Sequence, residues 1–303
     1  MNLVTRSDFD GLACAAILKD LGIIDTWTFV HPKDLQDGIV KVSANDVLAN
    51  VPYVHGCGMW FDHHSSEHER LEGLDYKGEV RLEKSAARII YEHYGGKQKM
   101  PQFEQMITAV DAVDSGDIKL DDILSPDGWT LLGFIMDPRT GLGRFRDFRV
   151  SNYSLMEKLI ELCRTCKIDE ILADPDVQER VVKYREQDSA FRVMLPEYSE
   201  VHGNLVLTDL RGVDAICAGN RFLIYAAYPE QNISVWVMDG RNRQNTVIAV
   251  GHSVLLRTSK TDVGSLLLKY GGGGHKQVGT CQVPYGDCDS VLEEIIAKIT
   301  ADG

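Results

Sequence analysis

An α/β fold with two regions is predicted by three features of the 303-residue chain. In the first half, short apolar strands alternate with helical segments, an order that is typical of a parallel sheet covered by helices. After Gly203 the chain is rich in strand-like segments of valine, isoleucine and aromatic residues, which indicates a smaller α/β domain with a mixed sheet. Acidic residues also recur at strand tips and helix ends, where open α/β sheets bind ligands.

The length of the chain allows two domains with cores of their own. We expect residues 1–150 to form the first domain, residues 151–201 a helical connection and residues 202–303 the second domain. Two long polar helices, Tyr153–Ile171 and Asp176–Met194, are predicted in the connection, and a proline closes the second helix.

The formal net charge of -13 restricts the partners of the protein. Binding to nucleic acid depends on neutralisation of phosphates by cationic side chains, so a chain this acidic is a poor candidate for binding long duplexes. Small anionic substrates fit, because a metal ion with a few local cations reverses the sign of the field inside one crevice. No stretch approaches the ~18 apolar residues of a membrane span, and no signal-peptide pattern is expected at the N-terminus. Seven cysteines, an odd number scattered through apolar segments, favour reduced thiols and a cytoplasmic location.

The first segment of the chain is predicted to be strand, turn and helix. A short apolar strand, Asn2–Thr5, is followed by a turn that contains Asp8 and Asp10, and then by a helical period rich in alanine and leucine. The two acids could act only as a helix N-cap and a first-turn acid. Capping needs only one of them, so the second is a candidate functional residue.

Asp62, His63 and His64 directly follow an apolar run, Gly58–Phe61. A buried strand that delivers these side chains at its carboxyl end fits the pattern, and residues 65–67 are turn and helix-start types. Adjacent imidazoles beside a carboxylate suit a divalent transition metal, because neutral nitrogen and anionic oxygen donors can share one ion. Taken alone, the triplet fits a solvated turn equally well.

The remaining elements of the first half continue the alternation of strands and helices. Asp114 falls at the predicted end of a helix. The predicted strands are Thr26–Val30 and Asp46–Val51, and the predicted helices are Lys84–Tyr94 and Pro101–Val113.

A basic loop with two glycines spans residues 137–149. Such a loop is suited to binding phosphate. Arginines that pair with surface acids of an acidic protein explain the loop equally well. The arginines are Arg139, Arg144, Arg146 and Arg149.

The second half is predicted to be mostly strands. One helix, Asp262–Tyr270, precedes the run Gly271–Gly274 and His275, and a short strand and a last helix follow at 280–284 and 290–300. We expect four consecutive glycines not to serve packing but to form a loop whose amides converge on an anion, with a flexible linker as the alternative. The predicted strands before this helix are Leu205–Leu210, Phe222–Tyr228, Ile233–Met238 and Val247–Leu256.

The chain resembles the DHH phosphoesterase superfamily, including its C-terminal DHHA1 domain, over nearly its whole length. That superfamily includes oligoribonucleases that degrade very short RNA, the exonuclease RecJ, cyclic-dinucleotide phosphodiesterases and an exopolyphosphatase. The sequence of this chain is most similar to bacterial proteins labelled exopolyphosphatase-related. The resemblance implies a parallel-sheet DHH domain that binds metal, followed by a smaller DHHA1 domain that binds substrate. The motifs that carry it are Asp8-Phe9-Asp10-Gly11, Asp62-His63-His64, Asp114-Ser115-Gly116 and Gly272-Gly273-Gly274-His275.

The resemblance also implies roles for individual residues. The cofactor would be Mn²⁺ or Mg²⁺, and its ligands would be Asp8, Asp10, His63 and Asp114. The catalytic group would comprise His64 at the phosphoryl group and Asp62 beside it. We add Arg6 to this predicted catalytic group as our own hypothesis, because the family does not have an arginine there. The substrate-binding residues of the second domain would be Gly272, Gly273, Gly274, His275 and Arg257.

Two positions depart from the family pattern. Family members usually carry a histidine shortly before the first aspartate, where this chain has Val4 and Arg6. An aspartate that bridges two metals in the family corresponds to Asn50. We therefore expect one tightly bound ion per chain in the absence of substrate, or none after ordinary purification, and any second ion to arrive with the phosphate. The fixed guanidinium of Arg6 would replace one metal charge.

The predicted function is a divalent-metal-dependent phosphoesterase acting on a small phosphorylated substrate bound between the two domains. A short oligonucleotide, a bisphosphorylated nucleotide and polyphosphate all present suitable phosphates. The alternative is a regulatory protein that binds nucleotide or phosphate and has lost turnover, which the missing ligands favour and the retained metal-type residues disfavour. The resemblance further implies a homodimer, and no membrane partner is expected.

Overall fold

The computed structural model describes residues 1–64, 76–240 and 243–303 of the chain. The predicted turn and helix start at 65–67 lie outside the described residues. The chain divides into two compact units. The first contains Met1–Asp117 and Pro126–Tyr184, and the second contains Ile118–Ser125 and Arg185–Gly303.

The first unit is built on a five-stranded parallel sheet. Its strands are β1 (Asn2–Thr5), β2 (Thr26–Phe29), β3 (Asp46–Ala49), β4 (Met59–Asp62) and β5 (Gly78–Val80). They lie in the order β2-β1-β3-β4-β5, and every neighbouring pair is parallel. The carboxyl ends of all five strands therefore meet at one edge of the sheet.

The described helices up to residue 197 belong to the first unit, with two exceptions. One of the short helices lies in the second unit, and the last helix runs through the division at Tyr184. In chain order the helices are α1 (Phe9–Asp20), α2 (Pro32–Gln36), α3 (Ala86–His93), α4 (Gly96–Lys99), α5 (Glu104–Ser115), α6 (Leu120–Leu124), α7 (Gly128–Met136), α8 (Asn152–Thr165), α9 (Ile168–Ala173) and α10 (Pro175–Glu197).

Helix α1 is the centre of the first unit. Every residue from Phe9 to Leu18 is buried, because α1 packs against α3, α5 and α8 as well as β1. A helix of alanine, leucine and isoleucine without a polar face is expected to be buried all round. On β1, the consecutive residues Leu3 and Val4 are both buried, so both faces of the sheet are covered, as the parallel arrangement requires.

The second unit is built on a six-stranded mixed sheet in the order β10-β11-β9-β8-β7-β6, in which β7 and β8 are the parallel pair. Three helices, α11 (Leu223–Ala227), α12 (Val263–Leu268) and α13 (Cys288–Asp302), accompany it. The strands are β6 (Ser199–His202), β7 (Leu205–Asp209), β8 (Ile233–Asp239), β9 (Thr246–His252), β10 (Gly273–His275) and β11 (Val278–Val283).

The predicted α/β fold class is confirmed, and one predicted strand is wrong. Within the predicted strand 222–228, residues 223–227 form helix α11 and not a strand. A short run of buried aromatic and aliphatic residues carries no period that separates the two. The side chain of Asn220 decides the local fold, since its Oδ1 accepts a hydrogen bond from the Phe222 amide (2.9 Å) and its Nδ2 donates to the Ile123 carbonyl (3.2 Å).

The predicted single helix at 153–171 is also wrong, because the chain breaks into α8 and α9. Cys166 and Lys167 are extended, and the Lys167 amide donates to Glu170 Oε2 (2.8 Å), which starts the second helix. Helix α10 ends at Glu197, one residue beyond the proline that was predicted to close it. None of the described helices is both long and apolar enough to cross a membrane.

Candidate metal centre

Three of the predicted metal ligands meet in the first unit. His63 Nε2 lies 3.9 Å from Asp10 Oδ2 and 3.4 Å from Asp114 Oδ2. The ligand atoms of the three residues all lie within 4.8 Å of one another. Asp10 belongs to the first turn of α1, His63 directly follows β4, and Asp114 lies in the last turn of α5. The sheet edge and two helix ends therefore converge on one point.

The carboxylate of Asp10 is fixed by the N-terminus of α3. The amides of Ala86 and Ala87 donate hydrogen bonds to its two oxygens, at 3.0 and 2.7 Å. These amides have no acceptor within their own helix, and the helix N-terminus favours negative charge. Ser85 caps this helix, because its Oγ accepts a hydrogen bond from the Arg88 amide (3.0 Å). Asp10 is thus oriented by backbone groups.

The helix that carries Asp114 is tied to α3 by a buried network. Asp111 Oδ1 accepts a hydrogen bond from Ser85 Oγ (2.7 Å), and its Oδ2 lies 2.7 Å from Arg88 Nη2. Gly116 ends α5 in the left-handed conformation (φ 69°), which only glycine adopts readily. Helices α3 and α5, which position Asp10 and Asp114, are therefore held together by side-chain contacts.

His63 presents an unprotonated nitrogen to the two carboxylates. Its Nδ1 lies 3.2 Å from the Glu83 carbonyl oxygen, and a carbonyl can only accept, so Nδ1 carries the proton. Nε2 is buried and has no hydrogen-bond partner among the described residues. Burial lowers the pKa of His63, although the charge of Asp114 opposes it. A buried lone pair that faces two carboxylates fits a divalent cation.

Negative charge accumulates at this point. Burial raises the pKa of Asp10 well above its usual range, and the charges of Asp114 and Asp8 raise it further. A cation at contact distance removes this penalty, since it favours the ionised carboxylates. The two carboxylates and one imidazole of this chain therefore suit a divalent metal ion.

Asp8 lies beside the three clustered ligands and is engaged by protein donors. Its Oδ1 accepts hydrogen bonds from the Gly11 amide (2.9 Å) and from Asn50 Nδ2 (3.1 Å). Its Oδ2 lies 3.0 Å from Arg6 Nε. Asp8 is therefore the N-cap of α1, while Asp10 is the acid that belongs to the cluster with His63 and Asp114. Burial raises the pKa of Asp8, and the positive charge of Arg6 opposes that shift.

Asn50 follows β3 in a left-handed backbone conformation (φ 56°) and is buried. Asparagine is among the residues that tolerate this conformation. Its side chain turns the amide nitrogen toward Asp8, and its Oδ1 has no hydrogen-bond partner in the described part of the chain. The position that the family resemblance assigned to a bridging carboxylate therefore holds a hydrogen-bond donor.

Asp62 and His64 are in direct contact. Asp62 Oδ1 accepts a hydrogen bond from the His64 amide (2.7 Å) and lies 2.8 Å from His64 Nδ1. Burial lowers the pKa of His64, but the hydrogen bond and charge of Asp62 outweigh it, so the pKa is raised overall. Asp62 is fully buried and His64 is partly exposed, so the carboxylate orients an imidazole that a ligand can reach.

A small cavity adjoins the cluster, and the basic loop contributes to its wall. Asp137 and Arg139 line it, although the sequence singled out Arg139 only as one of four arginines. Arg144 donates instead to the Gly141 carbonyl, and Arg149 pairs with Asp176, so surface pairing does explain part of the loop. The complete lining is Asp8, Phe9, Asp10, Val110, Val113, Asp114, Asp137 and Arg139.

The glycine-histidine segment belongs to the second unit and ends in a strand, contrary to the predicted loop. Gly273–His275 form β10, which pairs antiparallel with β11. His275 is exposed, and so is Arg257, whose Nε donates to the Val254 carbonyl oxygen (3.1 Å). Both side chains are accessible on this unit.

Two of the consecutive glycines serve packing, so the expectation that none does is wrong. A Cβ on Gly272 would lie 2.3 Å from the carbonyl oxygen of Thr280, and one on Gly274 would lie 2.2 Å from that of Val278. A Cβ on Gly273 would meet nothing within 4 Å. The close approach of β11 therefore requires glycine at positions 272 and 274, whereas Gly273 borders open space.

Three solved structures place this architecture among known proteins. RecJ from Thermus thermophilus, solved in complex with Mn²⁺, is 14% identical over 99% of this chain and 52% of that chain, with a TM-score of 0.54. The DHH domain of a protein described as a member of the s1p family of ribosomal proteins is 15% identical over 99% of this chain and 86% of that chain, with a TM-score of 0.51. Both share the fold. A pGpG-specific phosphodiesterase, PggH from Vibrio cholerae, is 47% identical over 100% of this chain and 99% of that chain, with a TM-score of 0.86.

The chain belongs to the DHH phosphoesterase family. No protein-family model and no curated protein matches it. Membership confirms the predicted class of activity, a phosphoesterase that depends on a divalent metal. The roles of individual residues in this DHH phosphoesterase stay predictions.

Proposed function

We propose that this DHH phosphoesterase hydrolyses short 5′-phosphorylated oligonucleotides of the pGpG type with one divalent ion, Mn²⁺ or Mg²⁺, bound by Asp10, His63 and Asp114. The observation that carries the metal assignment is the buried Nε2 of His63, which faces two carboxylates and has no protein donor among the described residues. The substrate class is supported by PggH, which is 47% identical over the whole of this chain and whose name specifies pGpG.

In this proposal the protein side chains bind and orient the phosphodiester. A divalent ion in the centre supplies positive charge for phosphoryl oxygens and lowers the pKa of a water molecule. Asp62 holds the imidazole of His64 through Nδ1, and this partly exposed ring contacts the phosphoryl group. The amides of Ala86 and Ala87 keep Asp10 in place, so the ligand needs no reorganisation when substrate binds.

The proposal includes one tightly bound ion per chain. Arg6, Asn50 and the Gly11 amide already engage both oxygens of Asp8, so that carboxylate needs no cation. A second cation near the guanidinium of Arg6 would be repelled by about 4 kcal/mol per unit charge at ~4 Å and an effective dielectric constant of ~20. Any further ion would therefore arrive with the negative charge of the substrate.

We propose a phosphate-binding role for the second unit as well. The exposed side chains of His275 and Arg257 and the open space at Gly273 suit binding of a substrate phosphate. Gly272, directly before β10, and Gly274, within it, contribute through their backbone, because a side chain at either position would meet β11. We also propose a cytoplasmic location, because all seven cysteines are free, and a homodimer, which sedimentation tests.

The proposed function is tested with purified protein, a chelator and a substrate panel. The panel contains pGpG, other short oligonucleotides, 3′,5′-bisphosphorylated adenosine and polyphosphate, each with Mn²⁺ or Mg²⁺. We expect release of mononucleotide from pGpG that requires the metal and is lost in His63→Ala. A protein that binds pGpG tightly and turns over none of these substrates would be a regulatory protein, and the proposal would be wrong.

A further inference from the structure

We propose that Arg139 is a phosphate-binding residue of the active site, held in place by Asp137. This inference rests on the proposed function and adds a contact that the sequence motifs do not contain. Arg139 is also the cation that lines the cavity beside the cluster, whose other charged lining residues are the carboxylates of Asp8, Asp10, Asp114 and Asp137.

The backbone at this point is built to position the Arg139 side chain. Asp137 precedes a single 3₁₀ turn, Pro138–Thr140, and its Oδ1 accepts a hydrogen bond from the Arg139 amide (2.8 Å). Arg139 Nε donates to both oxygens of the same carboxylate, at 2.8 and 3.1 Å. One buried carboxylate thus fixes both the backbone and the base of the guanidinium.

The outer edge of this guanidinium is available to a ligand. The bonds to Asp137 use Nε, and the two terminal nitrogens donate no hydrogen bond within the described residues. Arg139 is 47% exposed, whereas Asp137 is 4% exposed. Arg149, by comparison, engages Asp176 through Nε and a terminal nitrogen together, at 2.9 and 2.7 Å.

The chemistry of the guanidinium fits a phosphoryl group. Its terminal nitrogens lie in one plane and match two oxygens of a phosphate, and a guanidinium stays charged at every physiological pH. An acidic cavity by itself repels a phosphodiester. One fixed cation at its wall, in addition to the metal ion, gives the phosphoryl oxygens a second positive contact.

Arg144 provides a matched control. It lies in the same loop, is exposed and donates through Nε to the Gly141 carbonyl oxygen (3.1 Å), and it does not line the cavity. The experiment compares wild type, Arg139→Ala, Arg139→Lys and Arg144→Ala. It measures kcat and KM for pGpG with Mn²⁺, binding of Mn²⁺ alone by calorimetry, and thermal unfolding.

We expect Arg139→Ala to lower kcat/KM for pGpG by about 10- to 100-fold, as the loss of a charge-assisted contact predicts. Binding of Mn²⁺ alone should be unchanged or tighter, since a positive charge is removed. Arg139→Lys should recover part of the loss, and Arg144→Ala should match wild type. If Arg139→Ala unfolds below the assay temperature, Arg139→Gln replaces it, because its amide still donates to Asp137 without carrying charge.

Three results separate the outcomes. Kinetic constants of Arg139→Ala that match those of Arg144→Ala would overturn the inference. An equal loss of Mn²⁺ affinity and kcat/KM would also overturn it, because Arg139 would then act by supporting the metal ligands. Failure of the wild-type protein to hydrolyse any substrate of the panel would refute the proposed function on which the inference rests, before any variant is compared.

Discussion

Asn50 and Asp8 are joined by a hydrogen bond of 3.1 Å from Asn50 Nδ2 to Asp8 Oδ1. A carboxylate at position 50 could not donate this bond. Aspartate tolerates the left-handed backbone of this position as asparagine does, so Asn50→Asp changes charge with little strain. We expect this variant to destabilise the metal-free protein by about 1–3 kcal/mol, because two buried carboxylates then face each other. We also expect it to gain a second ion.

Calorimetric titration of chelator-treated protein with Mn²⁺ checks this prediction. Wild type should bind one ion tightly and Asn50→Asp two. The control is Asn45→Asp, which adds the same charge at an exposed position. Two equivalent tight ions in wild type would contradict the assignment of Arg6 and Asn50 as the groups that satisfy Asp8.

His63→Ala should abolish the stabilisation of the protein by metal. An ion that binds only the folded state adds about 2.7 kcal/mol at a concentration 100 times its Kd. We expect Mn²⁺ to raise the Tm of wild type and to leave the Tm of His63→Ala unchanged, while the metal-free proteins unfold at similar temperatures. His202→Ala, which removes a partly exposed histidine of the second unit, should keep the full response. A full Tm response in His63→Ala would show that the ion binds elsewhere.

Ser85→Ala should weaken both the fold and the metal site. Ser85 is fully buried, caps α3 and donates to Asp111, and α3 in turn holds Asp10. Loss of the cap costs about 0.5–2 kcal/mol, and loss of the hydrogen bond to Asp111 Oδ1 adds to this, although Arg88 still pairs with the other oxygen. The comparison is Ser151→Ala, which removes an exposed N-cap from α8. Chemical denaturation and Mn²⁺ titration should show that Ser85→Ala alone loses metal affinity, by roughly tenfold.

Tyr91 links the two helices of the site, because its Oη donates to Glu104 Oε2 (2.8 Å) at the start of α5. Burial raises the pKa of Tyr91 from 10.0 to about 12, together with the hydrogen bond to Glu104 and the charge of Glu104. The folded protein therefore holds the phenolic proton more tightly than the unfolded chain. Its contribution to stability is fully present below the unfolded pKa and is lost as the pH rises through about 12.

The free energy of unfolding of wild type and Tyr91→Phe, measured from neutral to alkaline pH, tests this sign. We expect Tyr91→Phe to be less stable by about 1–2 kcal/mol at neutral pH and the difference to shrink above pH ~10. The control is Tyr153→Phe, which removes the hydroxyl of an exposed tyrosine and shows how much the substitution alone changes the free energy of unfolding. A difference that grows with alkaline pH would contradict the predicted direction.

The meeting of Asp10, His63 and Asp114 could be predicted because each lies at the end of a regular element. In a parallel sheet the carboxyl ends share one edge, so position along the sequence indicates position in space. Asp137 with Arg139, and Ser85 with Asp111, gave no such signal. These partners are selected by side-chain packing, which leaves no period in the sequence.

Local composition misled the prediction in the second half for a related reason. Phe222–Tyr228 has the residues of a buried strand, but the side chain of Asn220 starts a helix there. The glycine run suggested a free loop, whereas the approach of β11 to Gly272 and Gly274 makes part of it a strand. Both outcomes depend on contacts with distant segments of the chain.

The glycines at positions 271–274 have different surroundings, so only some substitutions there can report on ligand binding. At Gly272 and Gly274 any side chain displaces the neighbouring backbone, and at Gly271 the φ of 75° strains any other residue, so a loss of activity there would report a damaged strand. Gly273 alone in this run combines open space with a backbone not restricted to the left-handed region. A methyl group at this one position would encounter whatever molecule the second unit binds before it encounters the protein.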